Sequence, residues 1–147
     1  MHEGLYDQRY EHDSCGVGFV AEVSGHRSHK ILELAIQSVV NLTHRGAVDA
    51  DAKTGDGAGV LTHIPEKLLK REAAKLGINL SSTTGLALGM IFLPQNDLLA
   101  QERCRTTIEE LLSHYNLPFL GWRPVPVNPS VLGDKALATM PRIEQVL

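Results

Sequence analysis

A mixed α/β domain is the fold class this sequence predicts, and three observations predict it. Apolar side chains recur every three to four residues over 28–46, 65–77 and 97–115, which is the period of an amphipathic helix. Short apolar runs bounded by glycine, proline or serine stand at 15–23, 59–64, 85–93 and 119–127, as strands do. The resulting order, strand, helix, loop, strand, helix, strand, helix, strand, suits a sheet covered by helices. Length agrees, since 147 residues with 43% hydrophobic content make about one ordinary domain with enough apolar surface for a core.

Taken in order, residues 1–14 are polar and aperiodic, carry Glu3, Asp7, Glu11 and Asp13, and read as a surface tether whose removal costs the core little. In the strand that follows, Val17, Phe19, Ala21 and Val23 share one face and Gly16, Gly18 and Val20 the other, so both faces are expected to be buried. Ser24-Gly25-His26 makes a turn. Ser28 is placed to cap a helix with the stripe Leu32, Ala35, Ile36, Val39 and Leu42, ending near Gly46. Residues 47–58 hold hardly a large apolar side chain and read as a loop. Gly59–Ile64 is predicted as a strand, and Pro65 as the first position of a helix running to about Leu76 and closed by Gly77. Its inner stripe is Leu68, Leu69, Ala73 and Leu76. Gly85–Leu93 is apolar on both faces, as a central strand covered on two sides would be. Pro94 ends it, and Asn96 or Asp97 caps a third helix in which Cys104, Ile108, Leu111 and Tyr115 fall on one line, with Pro118 beyond its end. Phe119–Val127 is a strand whose prolines, Pro124 and Pro126, put its second half at an edge, with Trp122 in the core. The pattern weakens over 128–142, and Ile143–Leu147 reads as a strand at its beginning, so the chain is expected to be part of a longer protein.

Charge excludes several function classes. Fourteen basic and 17 acidic residues give a net charge of −3, well mixed along the chain, so no electrostatic footprint for nucleic acid or an anionic membrane is present. The N-terminus has neither a basic nor an apolar signal region, and no apolar run reaches spanning length, which makes the cytoplasm the simplest compartment. The two cysteines, Cys15 and Cys104, have neither metal-ligand spacing nor the density of a disulfide scaffold, and reduced thiols are expected. His26 and His29 lack a third ligand, so no metal site is expected.

Chemistry concentrates at Asp13-Ser14-Cys15-Gly16-Val17-Gly18, where a thiol heads a glycine-rich strand. A thiol with a pKa of about 8.5 is mostly protonated near neutral pH and needs a base to act as a nucleophile. His12 has no obvious route back to Cys15 if the chain is extended. The α-amino group of Cys15 itself, with a pKa of about 7.7–8.0, would serve if residues 1–14 were removed. Against this stands the ordinary role of a cysteine as a small buried hydrophobe.

The runs Glu11–Ala21, Asn41-Leu42-Thr43-His44-Arg45-Gly46-Ala47 and Thr54-Gly55-Asp56-Gly57-Ala58-Gly59-Val60 together resemble the start of the glutamate synthase large chain. That region of the family is a class II (N-terminal nucleophile) glutamine amidotransferase domain. Gly89–Pro94 and Leu120–Pro126 continue the resemblance in the same order. It implies an α+β fold of the N-terminal nucleophile hydrolase type, an αββα four-layer sandwich that would be incomplete in these residues. It also implies a propeptide over 1–14, with 15–147 the N-terminal part of the amidotransferase domain and Cys15 its first residue after cleavage.

By the same resemblance Cys15 and Arg45 are the catalytic residues, Arg45 orienting the N-terminal residue with its fork of donors. Otherwise Arg45 is a surface cation at a helix C-terminus. Gly16, Gly46, Asp56 and Gly57 become structural neighbours of the site, with Asp56 a polar partner for Arg45. Thr54–Gly59 is no phosphate loop, because it precedes a strand and lacks the lysine. Substrate-binding residues are expected beyond Leu147, with the oxyanion donors, so residues 1–147 alone are expected to be inactive. The substrate implied is glutamine, and the ammonia released converts 2-oxoglutarate to glutamate elsewhere in the synthase chain. FMN and an iron–sulfur cluster are implied for the full-length enzyme and none in these residues, with a small electron-delivering subunit or ferredoxin as partner. Two alternatives stay open: a class II amidotransferase with another ammonia acceptor, and a glutamine-sensing module without turnover.

Overall fold

The computed structural model describes residues 16–80 and 85–147. Cys15 and the tether over 1–14 lie outside the described residues. The elements are α1 (His29–Asn41), a 3-10 turn (Thr43–Arg45), α2 (Glu66–Lys75), β1 (Gly89–Leu93), α3 (Leu98–His114), β2 (Trp122–Pro124), a second 3-10 turn (Pro129–Val131), α4 (Asp134–Thr139) and β3 (Arg142–Val146). The chain divides into two compact units. One contains the described residues 16–48 and 55–60, and the other 49–54 with the remainder from 61 onward.

In the first unit α1 begins after Ser28, which is extended at φ −137° and ψ 148° as an N-cap residue is, although its hydroxyl makes no capping bond. Leu32, Ala35, Val39 and Leu42 of the expected stripe are half-buried and Ile36 is exposed. The strand expected over 15–23 is absent from its described part, and Phe19 is 93% exposed with Val17 and Val23 also open. Alternation marks a segment able to join a sheet, but a strand forms only where another backbone accepts its hydrogen bonds, and no described segment does so here. The turn falls at Glu22–Gly25, where Gly25, at φ +73°, donates its N–H to the Glu22 carbonyl at 2.9 Å. Gly59–Ile64 is likewise not a strand: Leu61 is fully exposed.

The core of the second unit is built on α2. Leu69 and Ala73 are buried with Leu80 and Leu147, and Ile64, Ile78, Leu86, Leu88 and Leu120 pack around them. Leu68 and Leu76, the other half of the expected stripe, are exposed. Pro65 is the N-cap rather than the first helical residue. The helix ends in a Schellman motif: Gly77, at φ +76°, donates to the Ala74 carbonyl, and Ile78 donates to Ala73 at 2.9 Å.

The sheet has the order β1-β3-β2, both pairs antiparallel. Gly89 faces Val146 and Leu93 faces Arg142 on one side, while Trp122 faces Val146 and Pro124 faces Glu144 on the other. The final segment is therefore the central strand. β1 is an edge, not the doubly covered strand its apolar run suggests, and Phe92 on its open face is 64% exposed. Residue 89 is glycine because a Cβ there would stand 2.7 Å from Val146 Cγ1. Pro124 sits on an edge strand as expected.

α3 docks on the face that carries Glu144, and it does so with polar side chains. Arg105 donates from Nε and Nη2 to the two Glu144 oxygens, each at 2.9 Å, and Arg142 Nε adds a third bond at 2.6 Å. Gln101, 2% exposed, donates to the carbonyls of Pro94 and Gln95. Trp122, half-buried, donates its indole N–H to Glu109 at 2.6 Å. The expected stripe is thereby displaced: Cys104, Leu111 and Tyr115 are exposed, and Cys104 is not a packing residue. Apolar periodicity cannot locate a docking face built from Gln, Arg and Glu. The capping expectation holds, with Asp97 Oδ1 accepting from the Ala100 N–H at 2.8 Å.

Candidate active site

Of the residues assigned to the site from the sequence, Arg45, Gly46, Asp56 and Gly57 lie at the end of α1 and in the loop after it, Gly16 precedes α1, and Cys15 lies outside the described residues. α1 closes into the 3-10 turn through Thr43, whose hydroxyl donates to the Val40 carbonyl at 2.6 Å, and His44, whose Nδ1 donates to the Asn41 carbonyl at 2.9 Å. The Arg45 N–H donates to Leu42 at 2.8 Å. The turn leaves the Arg45 side chain exposed, and its guanidinium has no hydrogen-bond or ion-pair partner among the described residues. Five unpaired donors on a turn fixed by its neighbours form a ready receptor for a carbonyl or carboxylate oxygen.

Gly16 touches this turn. A Cβ on Gly16 would stand 3.3 Å from Leu42 Cδ2, so the residue that follows Cys15 lies against the residue whose carbonyl anchors Arg45. Gly46 has φ −88° and ψ 147°, an ordinary extended conformation, so no left-handed turn demands a glycine there. Gly57 has open space around its Cα.

Asp56 accepts from the Ala47 N–H at 2.9 Å through Oδ2, while its own N–H donates to the Ala47 carbonyl at 3.1 Å. Val48 and Gly55 form an antiparallel bridge above this pair, and a Cβ on Gly55 would press on the Ala47 carbonyl oxygen at 3.0 Å. Asp56 thus closes the loop immediately after Arg45 and Gly46.

The tip of the loop is organised by Asp51. Its Oδ1 accepts from the N–H groups of Lys53 and Thr54 at 2.9 and 2.7 Å, and its Oδ2 from the Thr54 hydroxyl at 2.6 Å. The Thr54 hydroxyl, then the two N–H groups, hold the Asp51 carboxyl below its ordinary range. Lys135 Nζ pairs with Asp49 at 2.5 Å. These organising residues were not singled out in the sequence. The short-range part, an aspartate three residues before a threonine, carries a turn signal, whereas nothing local marks Lys135 as the partner of Asp49. Among the described residues no three His, Cys, Asp or Glu side chains are grouped to hold a metal, and no helix is long and apolar enough to cross a membrane.

Comparison with known proteins adds relatives to this geometry. The family model described as glutamine amidotransferases class-II matches residues 15–147. The chain is 42% identical over 142 residues to the glutamate synthase [NADPH] large chain of Azospirillum brasilense, which covers 97% of this chain and 9% of the relative. It is 45% identical to the glutamate synthase [NADH] of Saccharomyces cerevisiae, over 98% of this chain and 7% of that protein. The ferredoxin-dependent glutamate synthase 2 of Synechocystis sp. is 42% identical over 93% of this chain and 9% of its own length. The chain therefore spans less than a tenth of these relatives.

Proposed function

We propose, since the chain belongs to the class II glutamine amidotransferases, that it supplies the nucleophile-bearing part of the glutaminase domain of a glutamate synthase. Residues 1–14 are a propeptide in this reading. Once they are removed, the free α-amine of Cys15 accepts the thiol proton, and the thiolate attacks the side-chain amide carbon of glutamine. The protonated amine returns its proton to the departing nitrogen, ammonia leaves, and water hydrolyses the γ-glutamyl thioester. Before cleavage the same nitrogen is an amide without basicity, so the precursor lacks its general base.

The observation that carries this most directly is the approach of Gly16 to the Leu42 side chain, the carbonyl of Leu42 accepting from the Arg45 N–H and the Arg45 guanidinium having no partner among the described residues. It supports a Cys15 whose free N-terminus and carbonyl are oriented by Arg45. The family match also begins at Cys15, the position at which the chemistry requires a new N-terminus. The αββα layering belongs to the proposal as well, supported by an antiparallel sheet that carries α3 on one face and leaves Met90 and Phe92 exposed on the other.

The released ammonia is used by the remainder of the synthase chain to convert 2-oxoglutarate to glutamate. An iron–sulfur cluster is held by four cysteine thiolates or by two with two histidines; this sequence has two cysteines, one of them the proposed nucleophile, and the described residues bring no three His, Cys, Asp or Glu side chains together, so these residues do not fit the cluster. FMN and the cluster belong to the complete protein, in a cytoplasmic enzyme. The relatives carry NADPH, NADH or ferredoxin in their names, and the electron donor here is one of that class. Cys15→Ala in the complete enzyme tests the proposal. Glutamine-dependent synthesis is expected to vanish while synthesis from added ammonia survives; equal loss with both nitrogen sources would contradict it.

A further inference from the structure

One face of the sheet carries α3, and the other is covered at one end only. Residues directly opposite in an antiparallel pair share a face, so Met90, Gln145 and Arg123 form one row across β1, β3 and β2, and Phe92 with Ile143 begins the next. Leu147, two residues past Gln145, donates its N–H to the Gly121 carbonyl at 3.0 Å and packs with Leu69 and Ala73 of α2. Away from that end the face opens: Met90 is 47% and Phe92 64% exposed. All of these residues belong to the same compact unit.

The middle row offers donors and no acceptor. Arg123 donates from Nη1 to the Gln145 side-chain carbonyl at 2.7 Å, which leaves the amide NH2 of Gln145 as its remaining polar group. Gln145 is 8% exposed and Arg123 half-buried. Among the described residues neither that NH2 nor the rest of the guanidinium has an acceptor, and Arg123 has no acidic partner. The neighbours on this face, Met90, Phe92, Ile143 and Leu147, bring no carboxylate. A cation drawn this far from water is costly unless it is paired.

We propose that this face is an internal docking surface of the complete synthase: a segment of the same polypeptide outside residues 1–147, with apolar side chains around one carboxylate, covers Met90 and Phe92 and pairs that carboxylate with Arg123 and Gln145. This deepens the layering proposed above and rests on that reading. Charge selects the occupant. The same face of a second copy would bring another arginine and no acid, whereas a carboxylate accepts from the guanidinium through two oxygens at once. Length agrees, since the chain spans less than a tenth of the synthases it matches, and the greater part of such a polypeptide remains to supply the cover.

Photo-crosslinking in the complete enzyme tests this, with p-benzoylphenylalanine placed at position 92 and the products mapped by mass spectrometry. The expected product has the mass of one chain and joins residue 92 to a peptide outside 1–147 that contains Asp or Glu. A crosslink between two chains, a crosslink to another residue of 1–147, or none at all overturns the inference. Arg123→Glu is expected to lower the yield of the product about tenfold or more, because it sets a like charge against the carboxylate. Changing that acid to arginine in the same chain is expected to restore it. An unchanged yield in Arg123→Glu overturns the inference. Alkylation of Cys15 by a glutamine analogue is followed in every variant as a check on folding. If Arg123→Glu loses it, the neutral Arg123→Gln is read instead, with a fall of about threefold or more expected and an unchanged yield overturning the inference. A failed crosslink beside full labelling of Cys15 overturns the docking surface alone. The expected crosslink in an enzyme whose Cys15 is never labelled overturns the glutaminase reading and leaves the surface standing.

Discussion

Glu144 is a carboxylate in the middle of an antiparallel sheet, 3% exposed, and two arginines keep it ionised. Arg105, through a bidentate pair, is the main cause of its lowered pKa, and Arg142 adds to it against the opposing cost of burial. The same contacts, chiefly those of Glu144, raise the Arg105 pKa. Because the folded value lies below the ordinary 4.5, the stabilisation is fully present above that pH and is lost as pH falls through the depressed value. Glu144→Gln is therefore expected to flatten the acid limb of a stability curve measured below about pH 4.5. Glu144→Ala is expected to cost about 1–3 kcal/mol in urea unfolding, since Arg105 loses its bidentate partner and keeps only the exposed Glu102 as an ion-pair partner. A second residue-level expectation concerns the two thiols. Cys104 is exposed on α3, so iodoacetamide should modify it in the native protein, while a glutamine analogue should leave it untouched and label Cys15. Peptide mapping that finds the analogue on Cys104 would reverse the assignment.

Helices α1, α2 and α3 stand where their apolar periods put them, helped by an end signal in α2 and α3, because those signals are local and act within one or two turns. Asp97 and the Schellman glycine Gly77 are examples. Which face each helix buries was less legible. In α2 the apolar residues cover more than half the circumference, and only packing against Leu80 and Leu147 selects Leu69 and Ala73 over Leu68 and Leu76. Leu69→Ala is accordingly expected to lose about 2–5 kcal/mol and Leu68→Ala, at a position 42% exposed, less than about 1 kcal/mol; equal losses in thermal or urea unfolding would contradict the packing described. In α3 the docking face is set by Glu144, far away in sequence, and no periodicity reports it. Strands were legible only where their partners lie within the described chain. β1 and β3 find each other, whereas 16–23 and 59–64 have the alternation or apolar content of strands without a backbone to pair with. Of the candidate site, Arg45 and Asp56 stood out through the motifs that hold them, but Asp56 binds the Ala47 N–H and not Arg45 as expected. The contacts of Gly133 and Lys135 with Asp51, Thr54 and Asp49 were not legible, because they join parts of the chain that share no local pattern.

The molecule as described is two compact units, with Arg45 in one and the larger core in the other. Its sequence corresponds to less than a tenth of each large synthase it matches, and its proposed chemistry turns on one covalent event, the exposure of an α-amine next to a thiol. That event predicts a mass. The decisive measurement is mass spectrometry of the N-terminal peptide of the active complete enzyme, before and after reaction with the glutamine analogue. A peptide that begins at Cys15 and gains the analogue on that residue is the expected result. Fully active enzyme that retains Met1–Ser14, or that carries the analogue on any other residue, would contradict the account.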